Sequence, residues 1–151
     1  MKKPLLFTPQ GFKKIEEELV ELMIKRKGAV KELTIARDMG DRSENAAYKS
    51  ARQKLSSIDR RVLHLKLSIR NAKIIEKTNR GVVEIGSTVQ LKNNKEIQTY
   101  SIVGTLESDV SQGFISCMSP LGRNLIGKKK GEEVIFVTPS GIKKYTVVSI
   151  S

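Results

Sequence analysis

Two apolar seams at heptad spacing, parted by a single glycine-bearing break, constrain this chain more than anything else in it. Phe12, Ile15, Leu19 and Leu22, then Ala29, Leu33 and Ala36 beyond Arg26, recur at alternating steps of three and four. Tyr48, Ala51, Leu55, Ile58, Val62, Leu65, Ile69 and Ala72 repeat the pattern without a polar interruption. Each stripe needs an apolar partner, and the nearest is the other stripe. Between them, Asp38-Met39-Gly40-Asp41-Arg42-Ser43-Glu44 places a helix-stopping glycine before helix-starting polar groups. Thr8 and Pro9 fit the N-cap and first turn of the leading helix. All four prolines lie outside residues 10–118, so none breaks either helix. The pattern predicts an antiparallel coiled-coil hairpin, with arms on the order of 45 Å long at roughly 1.5 Å per residue. So thin a hairpin holds no pocket, and its chemistry belongs at the tip or on the surface.

After Asn79-Arg80-Gly81 the period becomes strand-like. Runs at 82–85, 88–92, 99–103, 113–116, 133–138 and 142–150 are rich in Val, Ile, Thr, Tyr and Phe and are parted by turn residues. Ser119-Pro120 opens a brief helix that Gly127 closes, and Pro139-Ser140-Gly141 reads as a hairpin turn. The expected fold is α+β, with the hairpin in residues 1–77 and a small α+β domain in residues 78–151. The 151 residues leave no room for a large multidomain enzyme. A single cysteine, Cys117, rules out an internal disulfide and a cysteine metal cluster. No window has the roughly 18 apolar residues of a membrane span, and Met1-Lys2-Lys3 is not followed by a signal-peptide apolar run. The expected location is the cytoplasm.

The formal charge of +12 predicts a polyanionic partner. Residues 1–77 carry 19 basic and 10 acidic side chains, so most of the excess sits in the hairpin. From Ala46 to Lys73 there are eight basic residues against Asp59 alone. That imbalance favours a phosphate-contacting surface built on Lys49, Arg52, Lys54, Arg60 and Arg61 over simple solvation of a helix. Only Tyr48 could stack, so tracking of the nucleic-acid backbone is expected rather than base readout.

No phosphate loop, nucleophile elbow or metal-histidine pair is present. His64 faces away from the seam and reads as a solvated side chain, and Cys117 as a buried thiol. At the tip, Asp41 and Glu44 stand three apart. The plain interpretation is a capping box at the start of the second helix. The functional one is a Mg²⁺ site, and two exposed carboxylates would hold that ion only by completing a site that a partner already half supplies.

Gly40-Asp41-Arg42-Ser43-Glu44-Asn45-Ala46-Ala47-Tyr48, with Ile58-Asp59-Arg60-Arg61-Val62, resembles the tip and second helix of the bacterial Gre transcript-cleavage factors, and specifically their GreB branch. Lys3-Pro4-Leu5, Gly11-Phe12-Lys13-Lys14-Ile15, Ile102-Val103-Gly104, Ser119-Pro120-Leu121-Gly122-Arg123, Leu125-Ile126-Gly127-Lys128 and Thr138-Pro139-Ser140-Gly141 extend the likeness over nearly the whole chain. The resemblance implies a coiled-coil hairpin and an FKBP-like C-terminal domain. It implies an accessory factor rather than an enzyme, one that enters the secondary channel of backtracked RNA polymerase; a monomer is expected. Asp41 and Glu44 would help hold a second Mg²⁺ of the polymerase, with Ser43, Asn45 and Arg42 accessory, while the polymerase cuts its extruded RNA 3′ segment. Ser119, Pro120 and Arg123 are candidates for polymerase contact. Ala47 departs from the family pattern, which usually has an acid there.

Three other functions compete: a non-cleaving inhibitor of the same channel, a general nucleic-acid-binding coiled coil, and a prolyl isomerase or chaperone suggested by the fold. Asp41, Ser43, Glu44 and Asn45 argue against the first. The second leaves the tip and C-terminal motifs unexplained, and fold alone does not carry the third.

Overall fold

The computed structural model describes residues 3–40, 45–94 and 96–151. They form two compact units, one of Lys13–Asn71 and one of Met1–Phe12 with Ala72–Ser151. The expected boundary near residue 78 therefore falls inside the second of these.

The first unit is the helical hairpin. Helix α1 spans Pro9–Arg37 and helix α2 spans Ala46–Arg70, with the first turn of α1 belonging to the other unit. Three cross-helix ion pairs run in reverse order along the two helices, Glu18 with Arg61, Arg26 with Asp59 and Glu32 with Lys54, so the helices are antiparallel. Every expected seam residue from Ile15 to Ile69 is buried or half-buried, the interrupting Arg26 included. Full burial falls mainly on small residues, Ala29, Ala36 and Ala51, together with Val62 and Leu65. The larger seam residues Leu19, Leu22, Leu33 and Leu55 stay only half-buried, while Leu65 is closed off. Arg26 stands in the seam because its Nε reaches Asp59 Oδ1 at 2.6 Å. Gly40 ends the first arm at φ +134°, a backbone conformation that side chains other than glycine's rarely adopt.

The second unit contains two sheets. Strand β1, Leu5–Phe7, pairs in parallel with β2, Ala72–Ile74. A five-stranded sheet follows, built from β3 (Thr88–Asn93), β4 (Glu96–Val103), β5 (Phe114–Ser116), β6 (Glu133–Thr138) and β7 (Gly141–Ile150), in the order β5-β4-β3-β7-β6. Its neighbours are antiparallel except β4 and β5, which are parallel. Alternating residues Val89, Leu91, Val134, Tyr145 and Val147 fill the core with Val83, Ile102, Ile115 and Leu125. Leu125 comes from the short helix α3, Pro120–Leu125, which Ser119 caps by accepting from Gly122 N. Gly122 has to be glycine, since a Cβ there would stand 2.1 Å from the Ser116 carbonyl oxygen.

Three expectations change. Residues 82–85 form no strand and make only the isolated bridge of Val82 with Lys129. The β1–β2 pair was not foreseen, because three residues carry no usable period. Phe12 does not join the hairpin seam. It meets the fully buried Phe7 edge-on at 6.0 Å, inside the second unit.

The root of α1 is held in that unit by Glu107, at the end of the 3-10 turn Thr105–Glu107. Its carboxylate accepts from Thr8 N and Gly104 N, both at 2.9 Å, and from the Thr8 hydroxyl. Thr8 in turn accepts from Gly11 N at 3.1 Å, as the expected N-cap.

Candidate functional site

Asp41, Arg42, Ser43 and Glu44 lie outside the described residues. The end of α1 and the start of α2 stand on either side of them in the chain. On the α1 side, Asp38 N donates to the Thr34 carbonyl at 3.2 Å and Met39 N to the Ala36 carbonyl at 3.3 Å. On the α2 side, the N-cap is Asn45, whose Oδ1 accepts from Tyr48 N at 3.0 Å. This corrects the capping-box expectation. The third position of α2 is Tyr48, not Glu44, and Asn45 takes the role foreseen for Asp41. The same side chain also donates from Nδ2 to the Ala36 carbonyl at 2.6 Å, so it touches both helix ends. A shallow groove of about 360 Å³ lies beside it, lined by Ile35, Ala36, Met39, Ala47, Ser50 and Ala51 and bounded by Glu32 and Lys54.

The five basic candidates divide into two sets. Arg61 makes a two-point contact with Glu18, Nε to Oε1 at 2.6 Å and Nη2 to Oε2 at 2.9 Å. The hydrogen bonds from Arg61 hold the Glu18 carboxyl below its usual range and push the guanidinium up in turn. Lys54 Nζ sits 3.0 and 3.2 Å from the two Glu32 oxygens. Lys49, Arg52 and Arg60 are exposed and form no ion pair among the described residues. The expected phosphate surface thus contains three open cations and two that are already matched. In heptad terms Glu18, Glu32, Lys54 and Arg61 all fall on the same flanking position of their seams, where antiparallel helices pair like positions. That signal was in the sequence. His64 is exposed beside Arg61. Cys117 is buried, and burial pushes its thiol up. No group of three or more metal-ligating side chains occurs among the described residues.

A second candidate surface lies in the other unit. Tyr100, Phe136 and Tyr145, with Val110, Ile115 and Pro139, line a groove of about 430 Å³ whose rim includes Ser119 and Pro120. The Phe136 and Tyr145 rings stack at 5.6 Å, which makes a flat aromatic wall. Two of the three foreseen contact residues therefore border one concavity. Arg123, exposed on α3, does not line it. Tyr145 belongs to the buried core, and Tyr100 and Phe136 pack against it. These three line the groove from its core side, and Phe114 stays exposed.

Comparison with known proteins covers both units. Residues 5–74 match the family described as transcription elongation factor, N-terminal, and residues 77–151 match transcription elongation factor, GreA/GreB, C-term. The chain is 39% identical over 147 residues to the transcription elongation factor GreA of Paracoccus denitrificans, covering 95% of this chain and 94% of the relative. It is 43% identical over 149 residues to GreA of Bacillus subtilis, again covering 95% and 94%. A solved structure of the transcription factor Gfh1 is similar over 99% of both chains, at 25% identity and a TM-score of 0.50. The two curated relatives carry the GreA name and give the expected GreB branch no support. Among the described residues no helix is long and apolar enough to cross a membrane. With both parts matched in order and four residues in ten shared with curated members, the chain belongs to the GreA/GreB family of transcription elongation factors.

Proposed function

We propose that this protein rescues backtracked RNA polymerase by stimulating the polymerase's own cleavage of the extruded RNA 3′ segment. The hairpin enters the secondary channel, and Asp41 and Glu44 present their oxygens to the catalytic centre. Two carboxylates fill only part of an octahedral Mg²⁺ shell, so this donor set fits an ion shared with the polymerase rather than one the protein keeps. When bound, Mg²⁺ at such a centre stabilises charge on the attacking and leaving oxygens of the phosphodiester. Ser43 and Arg42 stand beside the acids as accessory groups. Lys49, Arg52 and Arg60 contact the phosphates of the extruded RNA. The FKBP-like C-terminal domain docks on the polymerase through the groove bordered by Ser119 and Pro120, where an aromatic wall can bury an apolar element.

One observation carries this reading: α2 is capped by Asn45, so the two acids of the tip are not needed to start the helix. The test uses stalled, backtracked elongation complexes labelled at the RNA 5′ end. Adding the protein with Mg²⁺ should shorten the transcripts to ends that can be extended again. Purified protein that cuts RNA by itself overturns the reading. Protein that binds the polymerase and blocks it without shortening transcripts would instead be a channel inhibitor.

A further inference from the structure

We infer that Asn45 is the positioning residue of the tip, a clasp that fixes the spacing between the end of α1 and the start of α2. The inference rests on the cleavage reading above. A helix leaves its last carbonyls and first N–H groups without partners. Asn45 reaches both ends: Oδ1 takes Tyr48 N at 3.0 Å, and Nδ2 gives to the Ala36 carbonyl at 2.6 Å, a shorter bond than the one that carbonyl takes from Met39 N at 3.3 Å. Ala36 is itself only 5% exposed, packed into the last turn of the seam, so the carbonyl that receives the bond is fixed. Few side chains can do both jobs. A carboxylate keeps the cap but has no donor for a carbonyl, a serine reaches only the cap, and an alanine does neither. The last turn of α1 and the first turn of α2 are thereby tied to each other by one planar group with two rotatable bonds. A segment delivering carboxylates to another protein's metal ion has to arrive within a fraction of an ångström, and a misplacement of about 1 Å costs on the order of 100-fold in rate. The role assigned is thus one of geometry. Asn45 acts through Asp41 and Glu44 and spends its oxygen and one N–H inside the hairpin, rather than orienting water.

Asn45→Asp and Asn45→Ser test it, because aspartate and serine cap helices about as well as asparagine. Cleavage by backtracked complexes is followed against factor concentration and against Mg²⁺, and hairpin melting is followed by circular dichroism. Both variants should melt close to the parent and reach half-maximal effect at the same factor concentration. Maximal cleavage should fall by about 10- to 100-fold, with half-saturating Mg²⁺ raised. Loss of cleavage with an unchanged Mg²⁺ requirement would overturn the positioning role, and so would full cleavage by either variant. If one variant melts early, the other decides. A parent protein that fails to cleave sinks the function proposed above, a result separate from any difference between parent and variant.

Discussion

Of the five candidate cations on α2, the three that are open among the described residues and the two that are paired make different predictions for RNA binding. Lys49→Gln, Arg52→Gln and Arg60→Gln together remove charges that no carboxylate balances among the described residues. On a single strand each phosphate contact contributes about 0.7 to the log–log salt slope, so three lost contacts lower it by about 2.1. Between 50 and 200 mM salt, each contact is then worth about 2.6-fold in affinity and all three about 18-fold. Lys54→Gln with Arg61→Gln should do much less. Before either side chain can serve a phosphate it has to leave Glu32 or Glu18, and a surface ion pair of this kind is worth about 0.2–1 kcal/mol, or roughly 1.4- to 5-fold per contact. Fluorescence anisotropy of a short single-stranded RNA, titrated at several salt concentrations, reads both slopes. A third variant, Glu18→Gln with Glu32→Gln, releases both cations and should steepen the slope by up to about 1.4. Equal slope change per charge in the triple and double variants would refute the division into open and matched cations.

Two glycines of α1 should respond with opposite signs. At Gly28 an added Cβ meets nothing within 4 Å, so Gly28→Ala should raise stability by about 0.5–1 kcal/mol in thermal melting. At Gly11 the Cβ would fall 1.7 Å from Glu107 Oε1, so Gly11→Ala should lower stability by roughly 2–3 kcal/mol as Glu107 loses its hold on Thr8. The Glu18–Arg61 pair sets a pH dependence. Because Arg61 depresses the Glu18 carboxyl from 4.5, the pair's contribution is complete above about pH 4.5 and is lost as pH falls through the lowered value. Glu18→Gln should accordingly be less stable than the parent at pH 7, by about 0.2–1 kcal/mol, and the gap should narrow on melting as the pH is taken progressively below 4.5.

How much of this was legible depended on the range of the signal. The seams predicted both helices and their antiparallel pairing, since a, d and flanking positions repeat over seven turns. The Thr8 cap, the stop at Gly40 and the Pro139–Gly141 turn each rest on local backbone chemistry, and each is found. Features made by contacts distant in sequence were not legible. Phe12 continues the heptad perfectly, yet tertiary packing assigns it to Phe7. Glu107 meets Thr8 across 99 residues, with no local pattern to announce it. The tip misled in a different way. Asp41 and Glu44 fit a capping box by spacing, but Asn45 has the same capping ability and sits four residues nearer the first helical turn.

That displacement of the cap separates two roles that the sequence alone merges in Asp41. A carboxylate that caps a helix commits its oxygen lone pairs to backbone N–H groups, and those pairs are then unavailable to a cation. With Asn45 supplying the acceptor for Tyr48 N, α2 starts without an acidic side chain in its first turn. Asp41→Asn should therefore shift hairpin stability by less than about 0.5 kcal/mol, the ordinary range for a surface substitution. Loss of a true N-cap costs about 1 kcal/mol, and on a unit of some 60 residues that is roughly 4–8 °C in melting temperature. Cleavage in backtracked complexes should be strongly reduced by the same substitution while binding to the polymerase is kept. A variant that melts several degrees early and still cleaves would return Asp41 to the capping role and leave the tip without its metal-directed acid.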